Sequence, residues 1–75
     1  MYYGYENIDE KQCEILAPKL DALIAKWHHM PEYSRPYIEY HQDSKCLLIR
    51  KITHLTDEEV QGLVLAADAL YEEIK

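Results

Sequence analysis

The chain predicts a small α+β domain, ordered helix, strand, strand, helix, with the two strands paired as an antiparallel hairpin. Three observations lead there. Apolar residues recur at spacings of three and four from Cys13 to Trp27, and again from Val60 to Ile74. Between them, two short runs of strand-type residues flank the polar stretch Gln42-Asp43-Ser44-Lys45. Finally, 75 residues hold one domain, spanning 1–75, and one core.

The first helix is expected over roughly residues 8–29. Asn7 with Glu10 three residues on approximates a capping box, with Asp9 as the other candidate start. Cys13, Leu16, Leu20, Leu23, Ile24 and Trp27 form its core-facing stripe. Pro18 interrupts the pattern, but it falls opposite the stripe on a helical wheel. One helix kinked around the core is therefore expected, against the rival of two short helices split at Ala17.

Met30 to Pro36 reads as a loop, because Pro31 and Pro36 deny regular structure between them. Tyr37 to His41 alternates like a strand, and Cys46 to Ile52 is a second strand rich in branched residues. Alternation sends Cys46, Leu48 and Ile52 to one face and Leu47 and Ile49 to the other. Apolar residues on both faces call for cover on both faces. Thr56-Asp57-Glu58-Glu59 is the strongest local signal, a capping box with acids at the positive end of the helix dipole. A second helix should follow over about 57–74, with Val60, Leu63, Val64, Ala67, Leu70, Tyr71 and Ile74 facing the core. The tyrosine-rich Met1 to Tyr5 is either a third strand or a tail.

Fourteen acids against eight bases give a net charge of −6, placed unevenly: −2 over residues 1–37, +1 over 38–55 and −5 over 56–75. Such a chain repels phosphate backbones at long range, which counts against nucleic acid as the main partner and favours a basic protein surface. No apolar run approaches the ~20 residues of a membrane span. Met1 to Tyr5 has neither the basic start nor the apolar centre of a signal peptide, so a cytoplasmic chain without membrane contact is expected. Two cysteines, Cys13 and Cys46, do not make a disulfide framework.

Chemistry-bearing motifs are sparse. His28, His29, His41 and His54 lack the spacing of a metal site with Cys13 and Cys46, so no metal and no cofactor are expected. Cys46 with a histidine is a conceivable nucleophile pair, but no oxyanion or phosphate loop accompanies it. A catalytic role is not expected.

Binding surfaces are better represented. Tyr33, Arg35, Tyr37, Tyr40 and Arg50 have the composition of a protein-binding hot spot. Leu47 and Ile49 join them as the strand face that two helices packed on one side would leave bare. A homodimer or another protein partner would cover it. On the second helix, Gly62, Ala66 and Ala69 make a small-residue side bordered by Leu65, and Asp57, Asp68 and Glu72 share an acidic one. The leading expectation is a noncatalytic interaction module, a small acidic adaptor, inhibitor or antidote. Small inhibitors of phages and mobile elements share this composition, though no motif. The alternatives are a regulatory nucleic-acid binder using Arg50, Lys51 and the tyrosines, and a small metal-dependent enzyme or sensor.

Overall fold

The computed structural model describes residues 2–75 and is a two-layer α+β domain. The elements are β1 (Tyr2–Tyr5), α1 (Glu10–Ile24), β2 (Tyr37–His41), β3 (Cys46–Arg50) and α2 (Asp57–Ile74). Short 3-10 turns follow α1 at Ala25–Trp27 and precede β2 at Glu32–Ser34. The sheet is antiparallel throughout, in the order β1-β3-β2. The N-terminal tyrosines thus form a third strand, and the strand latest in the chain takes the centre.

The hairpin forms around the expected turn, with Tyr37 opposing Arg50 and His41 opposing Cys46. β1 lies on the other side of β3, pairing Tyr2 with Arg50 and Tyr5 with Leu47. Both helices cover one face of this sheet. That face carries Tyr3, Tyr5, Ile38, Tyr40, Leu47 and Ile49, all packed in or against the core. Leu16, Leu20, Ile24 and Trp27 of the first helical segment and Leu63 and Ala67 of α2 complete it.

Three local details decide between the expected alternatives or correct the expected boundaries. The cap of α1 is Asp9, not Asn7. The Gln12 amide donates to the Asp9 carboxylate at 2.8 Å, and the Gln12 side-chain oxygen accepts from the Asp9 amide at 3.0 Å. Asn7 instead takes a left-handed φ of 58°. That turn lets the Ile8 amide reach the Lys45 carbonyl, 2.9 Å away, and buries Ile8 completely. Second, α1 runs unbroken through exposed Pro18 and ends at Ile24 in the 3-10 turn. The split at Ala17 does not occur. Third, the second strand stops at Arg50. Lys51 adopts φ 60°, which breaks the alternation and turns Ile52 into the core with Leu55.

Two polar clusters fasten the layers. Tyr3 and Tyr5 each donate a hydroxyl to the same Asp68 carboxylate oxygen, at 2.9 and 2.8 Å. The Tyr5 ring stacks on Tyr71 with centroids 4.6 Å apart. At the other end, Glu59 closes the capping box with Thr56 and also accepts the Trp27 indole N–H at 3.1 Å. One carboxylate therefore starts α2 and ties it to the end of the first helical segment.

These clusters set the pH range of the fold. Burial, then the hydrogen bond to Asp68 and its negative charge, raise the Tyr3 and Tyr5 hydroxyls above the ordinary tyrosine value of 10.0. A raised value stabilises the fold in full below pH 10 and progressively less above it. Asp68→Ala should cost about 1–3 kcal/mol in denaturant unfolding, because both hydroxyls lose their acceptor. In the native protein, tyrosinate absorbance from Tyr3 and Tyr5 should rise together with loss of structure; a native-state titration at ordinary pH would refute the clamp. On the acid side, the Thr56 amide and then the Trp27 indole hold the Glu59 carboxyl below its usual 4.5. A lowered value contributes stability above pH 4.5 and loses it as the pH falls through the folded-state value. Glu59→Gln should therefore show a shallower loss of melting temperature below pH 4.5 than the native chain.

Candidate partner-binding surface

Among the described residues, no layer lies over the second face of the sheet. Its side chains stand in rows set by the register. Tyr2, Arg50 and Tyr37 make one row; Gly4, Leu48 and Glu39 the next; Cys46 and His41 the last. None of these residues is buried, and Tyr2 and Tyr37 are exposed.

Cations and rings alternate along this face. The Arg50 guanidinium sits 5.6 Å from the Tyr2 ring centroid, and Lys51 Nζ sits 5.6 Å from that of Tyr37. Both distances lie within the ~6 Å reach of a cation–π contact. Arg50 also donates to Glu39 at 3.0 Å, and the His41 ring nitrogen lies 2.7 Å from the same Glu39 oxygen. The hydrogen bond to His41 is the chief cause holding the Glu39 carboxyl below its usual value, with the His41 and Arg50 charges adding to it. Left-handed Lys51 places its side chain beside this row, where strict alternation would not.

The Arg35 loop adjoins the row. Arg35 donates from Nε and Nη2 to the Met30 carbonyl, at 3.2 and 3.0 Å, which pins the guanidinium against its own loop. Arg35, Tyr37 and Lys51 line one open recess of about 460 Å³, with His28, Asp21 and Glu32 on its far walls. Tyr33 projects from the same loop at 78% exposure.

Of the residues expected to meet a partner, the fold thus groups Arg35, Tyr37 and Arg50 on one continuous surface, with Tyr33 exposed on the same loop. Leu47 and Ile49 are withdrawn from it: both are 0% exposed, because the helices cover their face and not the face of Leu48. Tyr40 shares their parity, and its hydroxyl donates to the Ile8 carbonyl at 2.6 Å, so it serves as an internal strut. Tyr2, Leu48 and Lys51 replace them. The bare face is less apolar than alternation implied, since Ile52 has left it.

Size limits what this face can hold. Three strands ~4.8 Å apart and about five residues long present roughly 200–250 Å². A stable interface buries about 800 Å² on each partner. A stable interface built on the row would therefore have to extend over the Arg35 recess or a sheet edge.

Other candidates do not assemble. Among the described residues no three of the His, Cys, Asp and Glu side chains come together to hold a metal ion, and Cys13 and Cys46 are free thiols. Burial is the main cause raising the Cys13 thiol, the opposite of activation. His29 and His54 do share a recess of about 440 Å³ with Trp27 and Glu59, but Glu59 is already committed to Thr56 and Trp27. Gly62 faces open space among the described residues, so nothing there packs on the glycine of the small-residue side of α2. Among the described residues no helix is long and apolar enough to cross a membrane. No family model, curated protein or solved structure matches the chain.

Gly4 shapes the centre of the face. A Cβ there would stand 2.4 Å from Leu48 Cδ2 and 2.9 Å from the Leu47 carbonyl oxygen, so Leu48 can lie across β1 only above a glycine. Gly4→Ala should destabilise by about 1–3 kcal/mol. Adding Leu48→Ala should recover only part of that loss, since the Leu47 carbonyl remains. Chemical denaturation of the two variants checks this, and an unaffected Gly4→Ala would contradict it.

Proposed function

We propose that the chain is a noncatalytic protein-binding module, an adaptor, inhibitor or antidote-type protein, that engages its partner with the open sheet face. One observation carries the reading: both helices lie on the Leu47–Ile49 side, and the other side presents Tyr2, Tyr37 and Arg50 in one row around Leu48. Tyrosine and arginine are the side chains that give the largest binding energy per contact at protein interfaces, through rigid area and multiple donors. A second copy is one version of the partner, but the small area of the face does not favour it.

Nucleic acid is the second reading. It is favoured by the same row, since aromatic rings on an open sheet flanked by Arg35, Arg50 and Lys51 can stack bases and hold phosphates. It is opposed by the net charge of −6 and by Glu39, which already occupies Arg50.

Capture from the source lysate with native chain, a Tyr37→Ala/Arg50→Ala variant and a Lys11→Ala control separates these readings. The proposal expects a protein held by native and control chains, lost from the face variant by about tenfold or more, and protecting Tyr2, Tyr37 and Leu48 amides from exchange. A salt-dependent shift of a labelled oligonucleotide, lost in the same variant, would replace it with the nucleic-acid reading. Equal retrieval by all three chains would end the claim for this face.

A further inference from the structure

The sheet has two edges, and they are built differently. β2 carries Glu39 and His41, begins directly after Pro36, and has α1 packed close against it. Charges and prolines are the usual protection of an edge against strand addition. β1 reads Tyr2-Tyr3-Gly4-Tyr5, with no charge and no proline. Its backbone pairs with β3 on one side, and among the described residues no other backbone hydrogen bond reaches Tyr2–Tyr5.

The ground beside that edge is acidic. The Tyr3 and Tyr5 hydroxyls place Asp68 beneath β1, and both bonds fall on one carboxylate oxygen, Oδ1. At 100° per residue, Asp57, Gln61 and Glu72 share the Asp68 flank of α2. Lys75 is the one base there, paired with Glu72 at 3.3 Å. A strand added outside β1 would send alternate side chains toward this flank and the others onto the open face beside Tyr2 and Leu48.

We infer that β1 is a strand-addition edge for a basic extended segment of a protein partner. The inference rests on the protein-binding reading above and names how the partner enters. Main-chain bonds to β1 would supply affinity, and lysine or arginine at alternate positions would meet the acids of α2. A second copy fits less well. A two-fold axis between two β1 edges would bring the two acidic flanks of α2 together, and like charges there oppose closure.

The probe is a blocked hexapeptide of alternating Lys and Val, compared with its Glu–Val counterpart. The Lys peptide should shift the backbone amides of Tyr2–Tyr5 and bind at least about tenfold more tightly than the Glu peptide. Methylating alternate peptide nitrogens in the pairing frame should abolish binding, because those N–H groups make the ladder. An Asp57→Asn/Glu72→Gln variant, altered only at exposed sites, should keep its fold and bind about three- to tenfold more weakly. Equal affinity for both peptides, shifts centred on Tyr37–His41, or no binding at millimolar peptide would overturn the inference. So would a native chain already dimeric with Tyr2–Tyr5 amides protected. A captured partner that is lost with Tyr37→Ala/Arg50→Ala but indifferent to Asp57→Asn/Glu72→Gln would remove the edge and leave the face reading standing.

Discussion

Two phenol hydroxyls meeting one carboxylate oxygen hold the ends of this chain together. Tyr3 and Tyr5 stand 65 and 63 residues from Asp68, yet each bonds it within 2.9 Å. Without β1, β3 would become an edge and the sheet a two-stranded hairpin, which is marginal in water. With it, Leu47 and Ile49 are enclosed in the middle strand. The hairpin and α2 can form from local signals, but β1 has no partner until β3 and α2 are both in place. Closing so long a loop is entropically expensive, and the contacts of β1 offset that cost only when β3 and α2 are both present. The same strand supplies Tyr2 to the open face and the unprotected edge. The fold and the proposed binding therefore draw on the same four residues.

Charge acts on two length scales here. The long-range field is that of an acidic protein, dominated by the −5 of the last twenty residues. At the open face, Arg50 and Lys51 stand with Glu39, Arg35 borders it beside Tyr37, and Glu6 shares a recess with Tyr2, Gly4 and Leu48. A domain measuring 30 × 23 × 18 Å is about two to four screening lengths across at physiological salt. A partner at a distance thus responds to the net negative charge, while a partner in contact responds to the local cations. In the proposed binding mode, the acidic flank of α2 would orient the approach and the Tyr2–Arg50–Tyr37 row would fix the register.

The parts of the fold legible in the sequence are those governed by near neighbours. The capping box of Thr56 and Glu59 placed α2 at 57–74, and the polar turn 42–45 placed β2 and the start of β3. The misread parts answer to distant atoms or to backbone handedness. Asp9 outcompetes Asn7 because Lys45, across the hairpin, recruits Ile8. Ile52 leaves its expected face because Lys51 turns left-handed, a conformation lysine gives no warning of. For the surface, alternation separates Leu47 and Ile49 from Leu48 and Arg50 but does not say which set the helices take. Arg35, Tyr37 and Arg50 could be picked out from their chemistry. Tyr2 could not, since its place in the row depends on pairing with a strand more than forty residues away.

The open face is not a sticky patch awaiting cover. Leu48 lies down over Gly4, Arg50 is shared between the Tyr2 ring and Glu39, and Lys51 rests over Tyr37. Each group that could hold a partner is already engaged within the chain. Binding there would exchange one set of contacts for another, and those internal contacts let the free chain tolerate the bare surface. The outward backbone groups along β1 are different: among the described residues they have no partner in the chain, so a strand laid beside them would exchange only bonds to water. The edge can thus contribute affinity where the face contributes selectivity, and a partner that uses both gains from the short distance between them.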